Sequence, residues 1–436
     1  MDIRIIGVDL AVKAQHTAAI YDPATQKFIT KRRRFRSRPQ DIDGVLAKAK
    51  QGASDDVKII VILEATNMSW LEVGQYFHRL GAEVYRVNGR HTKAMRQIDT
   101  PHAHSDKLDG MALVKLYLVK KDKLVRWTPP GGELLALQRM SRELQRIVKQ
   151  QTAIQQRLLD LTQWTWGGWR GVAPKAYQEW IMRHAYDPWT ATALGAEWVQ
   201  MRLLDDMPKA QTDWIAPWLQ RAEERKRLYV TPETVGFPYI TEFIERELDE
   251  LNHLAKRRKT LTKDHLLPLY RQLYPNDVLT SLYGVGQRSA AIYHGFILSI
   301  HRFPNARRFG QWTGMVPRSF QSGTAENKHM RLSKQGPNLI KATLYQNADV
   351  ARRWDIQLAY VYYTQMVTQG KHHTQAVCAV ASHLANRIYA LLRDQRPYQL
   401  LDLKGEPISA DQSRAYIQKY LRVPEKIRKQ RKRRQS

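Results

Sequence analysis

Two hydrophobic rhythms divide this chain near residue 125. Before it, short apolar runs alternate with turn residues. Ile3–Leu10 is an apolar run that predicts a first strand. Thr17–Tyr21 and Lys27–Phe35 predict a second and a third, separated by a turn at Asp22-Pro23. Residues 39–50 predict a helix. Val57–Leu63 is a short β-branched run that suits a strand buried on both faces. Residues 68–80 predict an amphipathic helix, Ala82–Val87 another strand, and a further helix carries Asp106 to about Lys120. The order is three strands, helix, strand, helix, strand, helix, which is that of an α/β domain.

After Trp127-Thr128-Pro129-Pro130-Gly131-Gly132 the period changes. Leu137, Met140, Leu144, Ile147, Gln151, Ile154, Leu158 and Leu161 follow 3,4 spacing, a coiled-coil seam with one polar position, Gln151. A second helix over about 238–262 puts Ile240, Ile244, Leu248, Leu251 and Ala255 on one face, and the two predict an antiparallel coiled-coil arm. Residues 163–236 between them hold eight of the twelve tryptophans (Trp164, Trp166, Trp169, Trp180, Trp189, Trp198, Trp214, Trp218). Irregular spacing among helix formers favours a helical insertion with a Trp-rich core. The other reading is an aromatic surface that stacks on unpaired bases. Residues 275–400 read as mostly α-helical around a basic central loop. From Lys419 onward cations accumulate without apolar periodicity, predicting a disordered polycationic tail. The resulting domain boundaries are 1–128, 129–274, 275–400 and 401–436.

Charge narrows the function. Seventy Lys and Arg face 41 Asp and Glu, a formal net charge of +29, which calls for a polyanionic partner rather than a soluble protein of merely basic background. The one cysteine, Cys378, excludes a disulfide framework and a Cys-type zinc site and points to a reducing, cytoplasmic compartment. No apolar run of about 18 residues predicts a membrane span, and the first residues enter a strand at once, unlike a signal peptide. Walker A and dinucleotide fingerprints are missing. Lys371-His372-His373 and the pair His102/His104 lack partners at metal-ligand spacing and read as exposed-loop histidines.

On this basic background four carboxylates stand out. Asp9 ends Ile5-Ile6-Gly7-Val8-Asp9, and Glu64 ends Ile59-Ile60-Val61-Ile62-Leu63-Glu64. Asp106 and Asp109 lie three residues apart, so a helix puts them on one face. First strand, fourth strand and late helix are where the ribonuclease-H-like fold carries its metal-binding carboxylates. Hard cations take oxygen ligands, and a pair of divalent ions about 4 Å apart activates the attacking oxygen and stabilises the leaving one in phosphodiester chemistry. The bland alternative pairs Asp106 and Asp109 with Lys107 and Lys115 on a solvated helix.

Cations and glycines supply candidate strand contacts. Lys31–Arg38 is basic at six of eight positions, with Phe35 interleaved; Arg32, Arg33, Arg34 and Arg36 are candidates for nucleic-acid binding, against a merely solvated strand edge. Leu282-Tyr283-Gly284-Val285-Gly286 before a helix resembles a helix-hairpin-helix element, in which Gly284 and Gly286 present amides to a phosphate; a plain turn is the alternative. Gly314–Thr324 and Arg331–Gly336 form a Gly-punctuated loop with hydroxyls among cations. A serine there could attack phosphorus while Arg318, Arg331 and Lys334 neutralise the developing charge. Spacing alone leaves simple phosphate binding open. Arg428, Lys429 and Arg431 are further candidates in the tail.

Taken in order, these pieces resemble the DEDD-type insertion-sequence transposases, the bridge-RNA-guided serine recombinases. The resemblance covers about 1–125 and 276–400 and rests on Gly7-Val8-Asp9, Leu63-Glu64-Ala65-Thr66, Ser105-Asp106-Lys107-Leu108-Asp109, Gly284-Val285-Gly286, Phe309–Arg318, Gln321-Ser322-Gly323 and Ser333-Lys334-Gln335-Gly336. It implies a RuvC-like domain whose Asp9, Glu64, Asp106 and Asp109 bind Mg²⁺, a coiled-coil dimerisation arm, and a transposase domain with Ser322 as nucleophile. It further implies a structured guide RNA, donor and target DNA, and a dimer or tetramer whose active sites combine different protomers and exchange strands through a Holliday junction. Three departures stand out: the Trp-rich insertion, the basic tail, and Gly323-Thr324-Ala325-Glu326-Asn327 where relatives carry more small hydroxyl residues. The rival expectation is a RuvC-like nuclease that uses activated water. A nucleic-acid-binding architectural protein is the non-enzymatic one.

Overall fold

The computed structural model describes residues 2–430 except 65–67, 100–105, 125, 186, 317–320, 323–324, 327–331 and 334–335. Of residues 96, 99, 106, 107, 123, 165, 237, 238, 241, 321, 322, 325 and 326 it describes the backbone alone. Two compact units divide the chain, Met1–Gly131 and Gly132–Ser436. Among the described residues no helix is long and apolar enough to cross a membrane.

The first unit is a mixed α/β sheet with helices on both faces. Its strands are β1 (Ile3–Asp9), β2 (His16–Asp22), β3 (Lys27–Phe35), β4 (Lys58–Glu64), β5 (Glu83–Val87) and β6 (Arg126–Trp127), and its helices α1 (Pro39–Lys50), α2 (Ser69–Arg79), α3 (Gly89–Asp99) and α4 (Asp106–Lys120). The sheet order is β3-β2-β1-β4-β5-β6. β1 pairs antiparallel with β2 and parallel with β4, and β4 pairs parallel with β5. Side chains alternate across a strand, and that period of two sorts the core. Ile6, Val8, Val61 and Leu63 pack with Phe35, Val45, Val73 and Phe77 on the α1 and α2 side. Ile5, Ile60 and Ile62 pack with Leu113, Leu116 and Tyr117 of α4 on the other. The predicted strands and helices are all present. The sequence reading missed α3, a polar helix in which Thr92 and Met95 are buried, and the two-residue edge strand β6.

The second unit is mostly helical. It contains α5 (Gly132–Thr165), α6 (Gln178–His184), α7 (Pro188–Asp206), α8 (Ile215–Tyr229), α9 (Phe237–Thr260), α10 (Leu267–Leu273), α11 (Gln287–Ile297), α12 (Ala306–Thr313), α13 (Asn338–Ala351), α14 (Ile356–Tyr363), α15 (His373–Asp394), α16 (Ala410–Tyr420) and α17 (Glu425–Gln430), with a hairpin of β7 (Gln321–Ser322) and β8 (Ala325–Glu326). α5 and α9 run antiparallel: Arg157 pairs with Glu247 at 2.6 Å and Arg257 with Glu143 at 2.9 Å. Gln151, the polar seam position, accepts a hydrogen bond from Arg258 at 2.9 Å. The apolar stripe of α5 serves two cores, however. Leu137 and Leu144 pack with α11 residues such as Ile292 and Phe296, whereas Ile147, Ile154 and Leu158 pack with the tryptophan cluster and α9. Gly295 permits the first contact, since a Cβ there would lie 3.0 Å from the Gln138 amide nitrogen.

Trp166, Trp169, Trp180, Trp214 and Trp218 are buried in that second core. This is the Trp-rich core that the irregular spacing favours; Trp164 is exposed. The disorder expected from Lys419 onward is corrected: α16 runs on to Tyr420 and residues 425–430 are helical. Ser413, Ile417 and Leu421, four residues apart, seat α16 against Trp354, Ile356 and Ala359. Only residues 431–436 of that stretch, Arg431 included, lie outside the described residues.

Candidate active site

Register brings the first two carboxylates together. The last aligned pair of β1 and β4 is Val8↔Leu63, and Asp9 and Glu64 follow as the next residue on each parallel strand. Alternation puts Asp9 on the face of Ile5 and Gly7, and Glu64 on the face of Ile60 and Ile62. That face is the one covered by α4. The third carboxylate comes with α4 itself. A Cβ at Gly7 would lie 2.1 Å from the Gly110 carbonyl oxygen, and a Cβ at Gly110 would lie 3.2 Å from the Ala19 Cβ. Helix and sheet therefore approach at backbone distance. Asp109 precedes this contact by one residue, and Oδ1 of Asp109 is shut off from solvent. Asp106 begins α4, but its side chain lies outside the described residues.

Glu64 has a second neighbour that the sequence reading overlooked. Gly89 opens α3, and a Cβ there would lie 2.3 Å from Glu64 Oε1. The missing side chain leaves the space that the carboxylate fills. Among the described residues, no group of three His, Cys, Asp or Glu side chains converges as a metal cluster. The candidate donors Asp9, Glu64 and Asp109 are all carboxylates, whose oxygens are the kind of ligand a hard divalent cation takes, with no soft ligand among them. A signal for Gly7 was in the sequence: glycine inside an apolar strand marks close backbone approach.

The proposed nucleophile lies in the second unit. α12 ends at Gly314 with φ of 73°, a left-handed cap. The loop that follows is closed at its base: Ser333 N donates to Val316 O at 3.1 Å, and a Cβ at Gly336 would lie 2.0 Å from Trp312 O. Within it Gln321 pairs with Glu326 and Ser322 with Ala325. Ser322 is thus the last paired residue of a short hairpin strand. Its side chain, and Arg318, Gly323, Arg331 and Lys334, lie outside the described residues.

The remaining candidates separate. β3 is a sheet edge, and Arg32, Arg34 and Arg36 are exposed on or beside it. Arg33 turns onto α1, its Nη2 2.9 Å from where a Cβ of Gly44 would be. Phe35 is buried against His16 and α1, which removes it from any stacking role. Gly284 has φ of +84°, and its close approach is to α13, where a Cβ would lie 2.5 Å from Asn347 O. The buried Asn347 side chain donates to Gly284 O and, at 3.0 Å, to Ser289 Oγ, and accepts from Tyr293 OH at 2.7 Å. Gly286, by contrast, is exposed at the start of α11. Arg428 and Lys429 are exposed on α17.

Comparison with known proteins gives two family matches, the first running through the first unit and on along α5. Residues 6–164 match the IS110-type DEDD domain, described as "Transposase", and residues 276–364 match the "Transposase IS116/IS110/IS902 family". The chain is 32% identical over 131 residues to the insertion element IS110 uncharacterized 43.6 kDa protein of Streptomyces coelicolor, covering 28% of this chain and 30% of that one. It is 34% identical over 96 residues to the insertion element IS900 uncharacterized 42 kDa protein of Mycobacterium paratuberculosis, covering 22% and 24%. A 22% identity over 125 residues relates it to the pilin gene-inverting protein of Moraxella lacunata, covering 29% and 39%. The matched spans are thus well under half the length of these relatives. With both family domains matched in order along it, this chain belongs to the IS110/IS116/IS902 family of insertion-sequence transposases.

Proposed function

We propose that this chain is a DNA recombinase of a mobile element, cutting and rejoining strands through a phosphoserine intermediate. The observation that carries the reading is the placement of Asp9 and Glu64 on one face of adjacent strands, beneath the helix that bears Asp109. In this reading 1–128 is a RuvC-like domain, 129–274 a coiled-coil dimerisation arm with its insertion, 275–400 the transposase domain and 401–436 a basic segment. Asp9, Glu64, Asp106 and Asp109 hold Mg²⁺ through oxygen. A divalent cation, when bound, polarises a phosphoryl oxygen.

Ser322 Oγ attacks the scissile phosphorus. The Oγ–P bond forms, the P–O3′ bond breaks, and the hydroxyl proton passes to the leaving 3′ oxygen. Arg318, Arg331 and Lys334 neutralise charge as it develops. The phosphoserine ester keeps the bond energy, so the 3′ hydroxyl of an incoming strand displaces Ser322 and seals the DNA. A relative named for inverting a gene supports cutting with rejoining over cutting alone. A structured guide RNA selects donor and target, and the protein works as a homo-oligomer, dimer or tetramer, in the cytoplasm.

Ser322→Ala tested on labelled DNA is the direct experiment. The parent protein is expected to form a protein–DNA adduct and rejoined product, and the variant neither. Cleavage that survives the substitution, with no adduct in the parent, replaces this reading with a nuclease that uses activated water. Full cleavage in Asp9→Ala would take the carboxylates out of the chemistry, and a parent protein that binds DNA without cutting it would leave only an architectural role. Sequencing RNA that copurifies with the protein checks the guide: one abundant structured species is expected.

A further inference from the structure

The C-terminal helices build a cleft that the reaction described above does not use. It has a volume of about 1140 Å³ and lies between the α13–α14 corner and the α16–α17 segment. Arg352 and Arg353 form one wall, just past the end of α13, and Arg414, Arg422 and Arg428 form the other. Among the described lining residues Asp349 is the single carboxylate. Its one negative charge is set against five arginines and orients two of them: Arg352 Nη2 lies 2.6 Å and Arg353 Nη2 2.7 Å from its two oxygens. The Arg352 guanidinium also sits over the Tyr362 ring, 3.9 Å from its centroid, which fixes its plane.

The second wall is held by packing, not by charge. Ser413 Oγ donates to Trp354 O at 2.6 Å, Arg414 lies over the Trp354 ring at 4.8 Å, and Leu421 is buried against Ile356 and Ala359. Arg353, Arg414, Arg422 and Arg428 keep exposed side chains. The field is felt inside: burial, and then the nearby Arg352, hold His373 below the usual imidazole range.

We propose that this cleft grips the phosphodiester backbone of a nucleic-acid strand. Guanidinium forks match phosphate oxygens two at a time, which a point charge cannot do. Cations on two facing walls suit a strand that runs between them, and the volume exceeds the roughly 300–1,000 Å³ of a small-molecule pocket. The proposal rests on the reading of this protein as a nucleic-acid enzyme and adds a binding site to it. RNA and DNA share the backbone chemistry, so the test separates them.

The experiment compares full-length protein with Arg414→Ala/Arg422→Ala/Arg428→Ala, and with a control of equal charge loss on the Trp-rich insertion, Lys175→Ala/Lys209→Ala/Arg227→Ala. Each is titrated with an RNA hairpin and a DNA duplex of equal phosphate number over a series of salt concentrations. The cleft variant is expected to lose at least tenfold in affinity for RNA, for DNA or for both, and the steepness of log K against log salt should fall by about two. The control should change neither. Arg422→Glu/Arg428→Glu, which leaves the Arg414–Trp354 contact intact, should lose more than tenfold, and covers the case in which the triple variant unfolds. Equal losses in cleft and control variants, or an unchanged salt slope in folded cleft variants, overturn the cleft alone. A parent protein that binds neither polymer overturns the cleft and the functional reading together.

Discussion

The carbonyl oxygen of Gly110 lies 2.1 Å from the point where a Cβ of Gly7 would stand. No flexible side chain can yield there, because the obstacle is helix backbone. Gly7→Ala must push α4 away from β1, and Asp109 with it. Overpacking of this kind costs about 1–3 kcal/mol. Thermal unfolding should show that loss, and DNA cleavage by the fraction still folded should fall as well. Unchanged stability would mean that α4 is not seated on Gly7.

At Gly89 the same substitution meets a different neighbour. The atom 2.3 Å from a new Cβ is Glu64 Oε1, the end of a flexible side chain. Gly89→Ala should therefore leave stability within about 0.5 kcal/mol of the parent. Displacing the carboxylate by about 1 Å is nonetheless enough to lower a positioned reaction by roughly 100-fold. Loss of cleavage at unchanged Tm is the expected signature; full activity would take Glu64 out of the site.

Asn347 holds the turn before α11 by three side-chain hydrogen bonds, to Gly284, Ser289 and Tyr293. Asn347→Ala leaves the Tyr293 hydroxyl buried without its acceptor. The expected loss is about 1–3 kcal/mol, read by denaturant unfolding.

The tryptophans give a paired test of core against surface. Trp218 is fully buried and Trp164 is 68% exposed. Trp218→Ala should cost about 3–5 kcal/mol through the cavity it leaves. Trp164→Ala should shift stability by no more than about 0.5 kcal/mol. A neutral Trp218→Ala would return the insertion to the stacking reading.

Much of this architecture was readable from residue order. Short apolar runs bounded by turn residues placed β1 and β4, which are buried on both faces, and 3,4 spacing placed α5 and α9, because those patterns are local consequences of burial. Helix α3 escaped, since its eleven residues, Gly89–Asp99, are mostly polar and, among the described side chains, Thr92 and Met95 are the buried ones. The C-terminal helices escaped for a related reason. Ser413, Ile417 and Leu421 make a stripe too thin to stand out among so many cations.

By itself the sequence determined the element types, the four spaced carboxylates and the excess of positive charge, all properties of neighbouring residues and composition. Tertiary structure alone decided that Asp9 and Glu64 share a face with α4, that Gly7 meets Gly110, that Gly284 turns onto α13, and that Arg352 and Arg428 line one cleft. Those relations join residues far apart in the chain: Asp9 and Glu64 are 55 positions apart, and Gly7 and Gly110 are 103. They depend on which strand pairs with which and which helix covers them, and pairing across such distances is selected by the packing of the whole unit.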